Sequence, residues 1–429
     1  MRIRTRVLTT ISLTAALLAG TAHPGFAVGP GGVGYGTVGK YNYDIDGLGP
    51  LSGPWTLSGA VTGWVSSLTN PTPDSAGRPS PTALSSGLIM VNIEKNEGFL
   101  RIHFVGGQFQ TPTMGLTSNN GAFNSLAPYG SPSNPKGGPE VSYWVTAVPS
   151  QYWSVSVGRM GSLEGVESGQ NFIDPTFFVS ELNNLETASG YGPQLNLFYG
   201  RATINLQYSA ATGTIRTNVA QGALTYNLNA DGSDFIIGFG HTNLGHTGNP
   251  GKSQTGVGLG FSQANSSLVG IGAQWVSGRW SVLPEAEYQW LPKSSVSAAS
   301  GDPKPLTTYY NVAAMTDVTY AFNKTWSVTG QLQYVFQNGD KHDPNEALFG
   351  NWLQFGSLPG QGTFSPGTSM TGAQFNVTWQ HQNFYVRPTV AYTHVAGFAP
   401  GTGYGLNGLA ADQVVGVFEI GFLFGNYPA

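Results

Sequence analysis

Of 429 residues only 9% are Asp, Glu, Lys or Arg, against about 25% in ordinary soluble domains, too few charges to solvate a large soluble surface. Cysteine is absent and the formal net charge is −4, which excludes a disulfide framework, a thiolate metal site and a Cys-attached haem, and no basic patch points to nucleic acid. Glycine (61 residues) and aromatics (12%) are plentiful, and mean hydropathy is near neutral, the average that alternating apolar and polar positions produce.

The chain opens on Arg2, Arg4 and Arg6, a mostly apolar run from Val7 to Leu18, and Gly25-Phe26-Ala27 as a small-x-small site before a cut at Val28. Residues 1–27 read as a signal peptide; without its three arginines the net charge moves from −4 to about −7. Residues 28–54 are Gly-rich and weakly patterned, and 55–429 reads as one barrel. No later run approaches the ~18 apolar residues a spanning helix needs. An exported chain whose strands have a lipid-like face then has one solution, because only a closed barrel satisfies its backbone in hydrocarbon.

Period-two alternation predicts strands at 55–67, 84–94, 99–108, 140–148, 153–159, 195–199, 202–208, 223–229, 235–241, 256–263, 268–277, 279–290, 310–320, 326–337, 373–380, 384–393 and 413–424, with a poorer one at 177–185. Long connections fall at 68–82, 109–138, 291–306, 338–369 and 397–411. The alternation of long and short slips between 186 and 255, which marks a misread strand there. The expected fold is an all-β, transmembrane, antiparallel up-and-down β-barrel of 16 to 18 strands, with an even number near 16 favoured. The loop at 109–138 reads equally as a disordered surface loop and as one that folds into the mouth.

The stretch Trp280 to Trp290 sets the scale. Ten steps at about 3.3 Å span roughly 33 Å of strand, which at a tilt of about 45° covers on the order of 23 Å, close to the apolar band of an outer-membrane barrel. Trp280, Tyr288 and Trp290, with Trp326, Tyr334, Phe336, Trp379, Phe384, Tyr392 and Phe424, supply an aromatic girdle. The opposite faces carry mainly Gln, Asn, Ser and Thr. A soluble barrel of some sixteen strands would enclose a lumen too wide for side chains to fill, so the wet face lines water.

Through the hairpin from Glu140 and on to Glu167 the chain includes Val157-Gly158-Arg159-Met160-Gly161-Ser162-Leu163-Glu164-Gly165-Val166-Glu167. This resembles the Val-Gly-Arg/Lys, then Gly-x-Glu segment of the OmpL-like β-barrel porins of Gram-negative outer membranes. The resemblance is specific over some thirty residues and implies a pore with no reaction of its own. One departure is the end of the chain, where Phe424 and Tyr427 are followed by Pro428 and Ala429 instead of a terminal aromatic.

For a pore, function is lumen size and the fixed charges along it. A charge on the lipid face costs about 2–4 kcal/mol at mid-membrane, so Arg101, His103, Arg201, Glu285, Glu287, Asp317, Arg387 and Glu419 are the pore-lining candidates. They either keep the lumen wet and pair across it, or form a constriction that sorts ions. Glu285 and Glu287 share a face but lack a nucleophile or companion His, and His241 and His246 have no Gly-x-Ser-x-Gly beside them, so no enzyme is expected. Asp340 to Glu346 gathers acids that suit Ca²⁺, but without the central Gly of an EF-hand, and a solvated loop is the simpler reading. The glycines of 29–36 precede no strand-to-helix pattern, so they are no phosphate loop. No cofactor and no metal are expected.

The leading function is a bacterial outer-membrane porin for passive diffusion of small hydrophilic solutes and ions, with weak cation preference. Alternatives are a sugar-specific channel lined by Tyr309, Tyr385 and Trp64, and a non-conducting adhesin or partner-sheath barrel plugged by a long loop. The expected partners are outer-membrane lipid, solutes and, by analogy with porins of this strand number, two further copies in a homotrimer.

Overall fold

The computed structural model describes residues 41–45, 49–71, 81–85, 89–108, 112, 114, 140–167, 174–186, 190–210, 218–244, 266–291, 309–338, 367–401 and 403–425. Its strands are β1 (Tyr41–Ile45), β2 (Gly53–Leu68), β3 (Thr82–Ser85), β4 (Ile89–Lys95), β5 (Leu100–Gln108), β6 (Glu140–Ser150), β7 (Trp153–Met160), β8 (Gly190–Tyr199), β9 (Ala202–Ala210), β10 (Asn218–Asn227), β11 (Phe235–Asn243), β12 (Ser267–Ser277), β13 (Trp280–Leu291), β14 (Tyr309–Ala321), β15 (Trp326–Gln337), β16 (Ser369–His381), β17 (Phe384–Ala396) and β18 (Asp412–Gly425). From β4 onward each is antiparallel to the next, and β18 returns to β2, with Val415 opposite Leu68 and Gly425 opposite Ser58. Among the described residues β2 to β18 close into one continuous sheet.

β3 and β4 take consecutive stretches of the same edge of β2, so they count as one wall strand. β1 lies against Gly53 to Leu57 of β2, alongside the point where β18 stops. The wall therefore has 16 strands, the even number favoured by the alternation. The stretch at 177–185 is a correction: it belongs to the connection between β7 and β8, and its one regular piece is a 3-10 turn at Glu181–Asn184. Its adjacent apolar residues Phe177, Phe178 and Val179 are all buried, whereas a wall strand would alternate. The stretch at 256–263 lies outside the described residues, and β11 pairs directly with β12, so the wall closes without it.

With these two removed, long and short connections alternate except at 211–217 and 228–234, which are equal in length. The short ones are 96–99, 151–152, 200–201, 228–234, 278–279, 322–325 and 382–383; 109–139, 161–189, 211–217, 244–266, 292–308, 338–368 and 397–411 share the other rim with the link from β2 to β3. In outer-membrane barrels the short turns face the periplasm.

The two faces follow from the pleat. In β15, Ser327, Thr329, Gln331, Gln333 and Gln337 point inward and are buried, while Leu332 and Tyr334 are exposed. Inward polar side chains bond sideways around the wall: Thr319 to Thr329 at 2.9 Å, Asn311 to Gln289 at 3.0 Å and Asn205 to Asn196 at 2.7 Å. Trp280, Trp326, Trp379, Phe384 and Phe424 lie toward the short-turn rim, and Tyr288, Trp290, Tyr334, Phe336 and Tyr392 toward the long-loop rim. Ring contacts join them sideways to neighbours, Trp280 to Tyr320 at 4.7 Å and Tyr288 to Tyr310 at 5.9 Å. Leu332, 62% exposed near mid-strand, tests the lipid face. Leu332→Arg is expected to destabilise the barrel in lipid by about 2–4 kcal/mol, read as a lower denaturant midpoint; an unchanged midpoint would place that face away from hydrocarbon.

Candidate functional site

The lumen is occupied. The connection from β7 to β8 turns inward at Gly161, and nearly every described side chain of 162–167 and 174–186 is buried. Two apolar patches hold it. Leu163, Val166, Leu182 and Leu185 pack with Leu283, Ala313, Met315, Val335, Met370 and Val395 of the wall, and Tyr404 joins them from the loop after β17. Phe177 and Phe178 pack with Trp64, Leu68, Ala391, Val415 and Val417, with Trp64 edge-on to Phe177 at 5.3 Å.

Those wall residues interrupt an otherwise polar face, and that was the signal the sequence offered. Leu283, Met315, Val335, Met370 and Val395 sit at inward positions of their strands, where a purely aqueous lumen would favour Gln, Asn, Ser or Thr. Glycine permits the close approach at one wall position: a Cβ on Gly272 would stand 2.2 Å from Val166 Cγ1, so only glycine fits there without a shift.

Polar anchors complete the seat, because a peptide folded into the lumen needs partners for its backbone groups. Gln221 accepts from the Leu163 amide at 3.0 Å, Glu285 from the Val166 amide at 3.0 Å and Gln333 from the Glu181 amide at 2.7 Å. Gln374 accepts from the Phe178 amide at 3.2 Å and donates to its carbonyl at 2.6 Å. Asn376 donates to the Pro175 carbonyl at 3.0 Å. From the loop after β5, Met114 donates to the Val179 carbonyl at 3.1 Å and Pro112 accepts from the Val179 amide at 2.9 Å. These anchors on the wall run over β10, β13, β15 and β16.

The pore-lining candidates fall into several groups. Arg387, fully buried, binds Glu419 through Nε at 2.8 Å and Nη2 at 2.7 Å, and its Nη1 donates to the carbonyls of Asp174 and Thr176 at 2.8 Å each. Tyr385 donates to the other Glu419 oxygen at 2.9 Å. Glu285, Glu287 and Asp317 are buried on the inward faces of β13 and β14, and Glu285 and Glu287 meet Glu186 of the infolded segment. His103 pairs with Glu94 at 3.2 Å on the far wall, and Arg101 is half-buried two residues before it. Arg201 is a correction: it lies in the exposed turn between β8 and β9 and donates to the Leu228 carbonyl at 2.8 Å. It sits just before β9, where the pleat that would orient it has not begun.

His241, which has no catalytic motif beside it in the sequence, is buried and contacts Glu164 at 2.7 Å and Ser266 at 3.2 Å. Trp64 and Tyr385 are covered by the segment, and the side chain of Tyr309 lies outside the described residues, as do His246, the acids of 340–346, the leader and the glycines of 29–36.

The buried ionisable groups are predominantly acidic. Among the described residues ten carboxyl side chains are buried, against the buried bases Lys95 and Arg387. Burial holds Glu186 well above the ordinary carboxyl range, with Glu285 adding repulsion. Glu167 is pushed up to about 7 by burial, although it accepts hydrogen bonds from the Ser180 amide, the Ser180 hydroxyl and Gln331. A raised folded-state value means that the stabilising contribution is complete below the ordinary 4.5 and is lost as pH rises through about 7. The segment is therefore expected to seat more firmly at pH 5 than at pH 8. Amide exchange at Ser180 and Glu181, corrected for its intrinsic pH dependence, should accelerate over that interval, and Glu167→Gln should flatten the change; a variant that keeps the wild-type profile would assign the effect elsewhere.

No curated protein matches the sequence. Among solved structures, the in-vitro folded OmpT, an outer membrane protein of Vibrio cholerae, is 9% identical with a TM-score of 0.52, covering 86% of this chain and 97% of that one. Its trimer form is 10% identical with a TM-score of 0.51, covering 86% and 99%. The anion-selective porin from Comamonas acidovorans is 11% identical with a TM-score of 0.49, covering 86% and 99%. At such identities the first two likenesses establish a shared outer-membrane barrel fold. A family model described as putative beta-barrel porin-2, OmpL-like, matches residues 54–424, and the chain belongs to that family.

Proposed function

We propose that this porin-family barrel is exported by the leader 1–27, inserts into a bacterial outer membrane through its aromatic girdle, and passes small hydrophilic solutes and ions passively through a narrow lumen. The observation that carries this is the infolded segment, which narrows the lumen by packing against β2 and against the wall from β10 to β18. The inward faces of β6 to β9 carry Thr146, Ser154, Ser156, Gln194, Asn196 and Asn205, which hydrogen-bond to one another around the wall and keep that side of the lumen polar. Glu285, and Arg387 with Glu419, fix the segment, and a weak cation preference is proposed from the net negative charge of the chain. A homotrimer is the proposed assembly, by likeness to the trimeric neighbour.

Occupation of the lumen also favours a second reading, a barrel that does not conduct and serves as an adhesin or sheath. Planar-bilayer recording of the refolded mature chain under a salt gradient separates the two. Small ohmic steps with cation-selective reversal and no block by sugars support the channel; sugar block would move the assignment to a specific channel. A folded, heat-modifiable barrel that never conducts would overturn it.

A further inference from the structure

We infer that Glu186, Glu285 and Glu287 form a binding site for a divalent cation of the calcium type, which clips the infolded segment to the barrel wall. One carboxylate comes from the segment and two from β13, so the ion would join two parts of the chain that are about a hundred residues apart in sequence. Each residue offers an oxygen, and the three lie within 4.8 Å of one another. Two oxygens on opposite sides of a Ca²⁺ ion at about 2.4 Å are about 4.8 Å apart, so a hard cation fits among them.

An independent observation points to a ligand. Glu287 is 4% exposed, and its carboxyl group meets no basic or amide donor among the described residues, only the carboxyl of Glu285. The second oxygen of Glu285 and Oε1 of Glu186 likewise meet no such donor, while the first oxygen of Glu285 accepts from the Val166 amide. Buried carboxylates in native proteins are paired, coordinate a metal or lose their charge. Two buried bases of the lumen are already engaged, Arg387 with Glu419 and His241 with Glu164. The backbone also shapes the site: Gly165 has a φ of +80°, and a Cβ there would meet Glu186 Oε1 at 2.0 Å, so the absence of a side chain lets the carboxylate lie against the chain.

The inference needs only a folded barrel, so it stands or falls separately from conduction. Mature protein refolded in a neutral detergent, without lipopolysaccharide, and stripped with EDTA is titrated with CaCl₂ by calorimetry. One equivalent per chain is expected, together with a higher unfolding temperature when Ca²⁺ is present. Glu287→Gln and Glu186→Gln should each weaken binding by at least the roughly 10–100-fold that loss of a mere supporting group costs a metal site. They should also abolish the thermal shift, whereas Glu97→Gln in the exposed turn after β4 should leave both unchanged. Heat-modifiability on gels confirms that each variant folds. A folded wild-type barrel that takes up no Ca²⁺, or binding that survives both substitutions, overturns the assignment.

Discussion

Arg387→Met is expected to destabilise the barrel more than any single change on its lipid face. The guanidinium is fully buried, neutralises Glu419 and bonds the carbonyls of Asp174 and Thr176. Removing one member of a buried ion pair strands the other charge, at about 3–5 kcal/mol. Two carbonyls of the infolded segment lose their donor as well, each worth about 1–3 kcal/mol if left unsatisfied. Methionine keeps the bulk of the stem beside Phe177, over which Arg387 lies at 5.9 Å, so the loss reports charge and hydrogen bonding more than packing. The check is the urea midpoint in detergent, followed by tryptophan fluorescence. The double variant Arg387→Met with Glu419→Gln should recover part of the loss, because the stranded charge is gone; a double variant no better than the sum of the single ones would show that the pair is uncoupled.

Excising 162–186 and joining Gly161 to Thr187 through a short Gly-Ser link is expected to change conduction most. The wall hydrogen bonds run from strand to strand without the segment, so the barrel should still close. A wall of sixteen strands leaves an aqueous channel when nothing fills it, so single-channel conductance should rise several-fold and larger hydrophilic solutes should pass. The cost falls on Leu283, Met315, Val335, Met370 and Val395, which would then meet water. Val335→Gln and Met370→Gln added to the excised chain should restore stability without altering conductance. If the excised barrel conducts like the full chain, the constriction lies elsewhere.

The barrel was legible because each strand reports its own surroundings. In β13, Trp280 to Leu291, the alternation of Ala286 and Tyr288 with Glu285, Glu287 and Gln289 is a contrast between lipid and lumen that needs no knowledge of distant residues. The same holds for β14 to β18, and their predicted spans differ from the observed ones by a few residues at the ends. Alternation was weaker evidence from 186 to 255, where strands are shorter and glycine is frequent. There the long connections could be sorted from the short only once pairing was known. Arg201 shows the limit of charge as a guide: a position just before a strand has no fixed inward direction.

Period two and local turns dictate the closed sheet, its outward apolar face and the type of residue lining its interior. What fills that interior depends on contacts between distant parts of the chain. The contacts that seat 162–186 join residues far apart in the chain, Phe178 with Gln374 across 196 positions and Arg387 with Asp174 across 213, and they use ordinary Gln, Asn and Leu side chains. Phe177 and Phe178 looked like part of a strand because apolar residues must be covered by something. In this protein the cover is the inner wall, and nothing local distinguishes that from lipid.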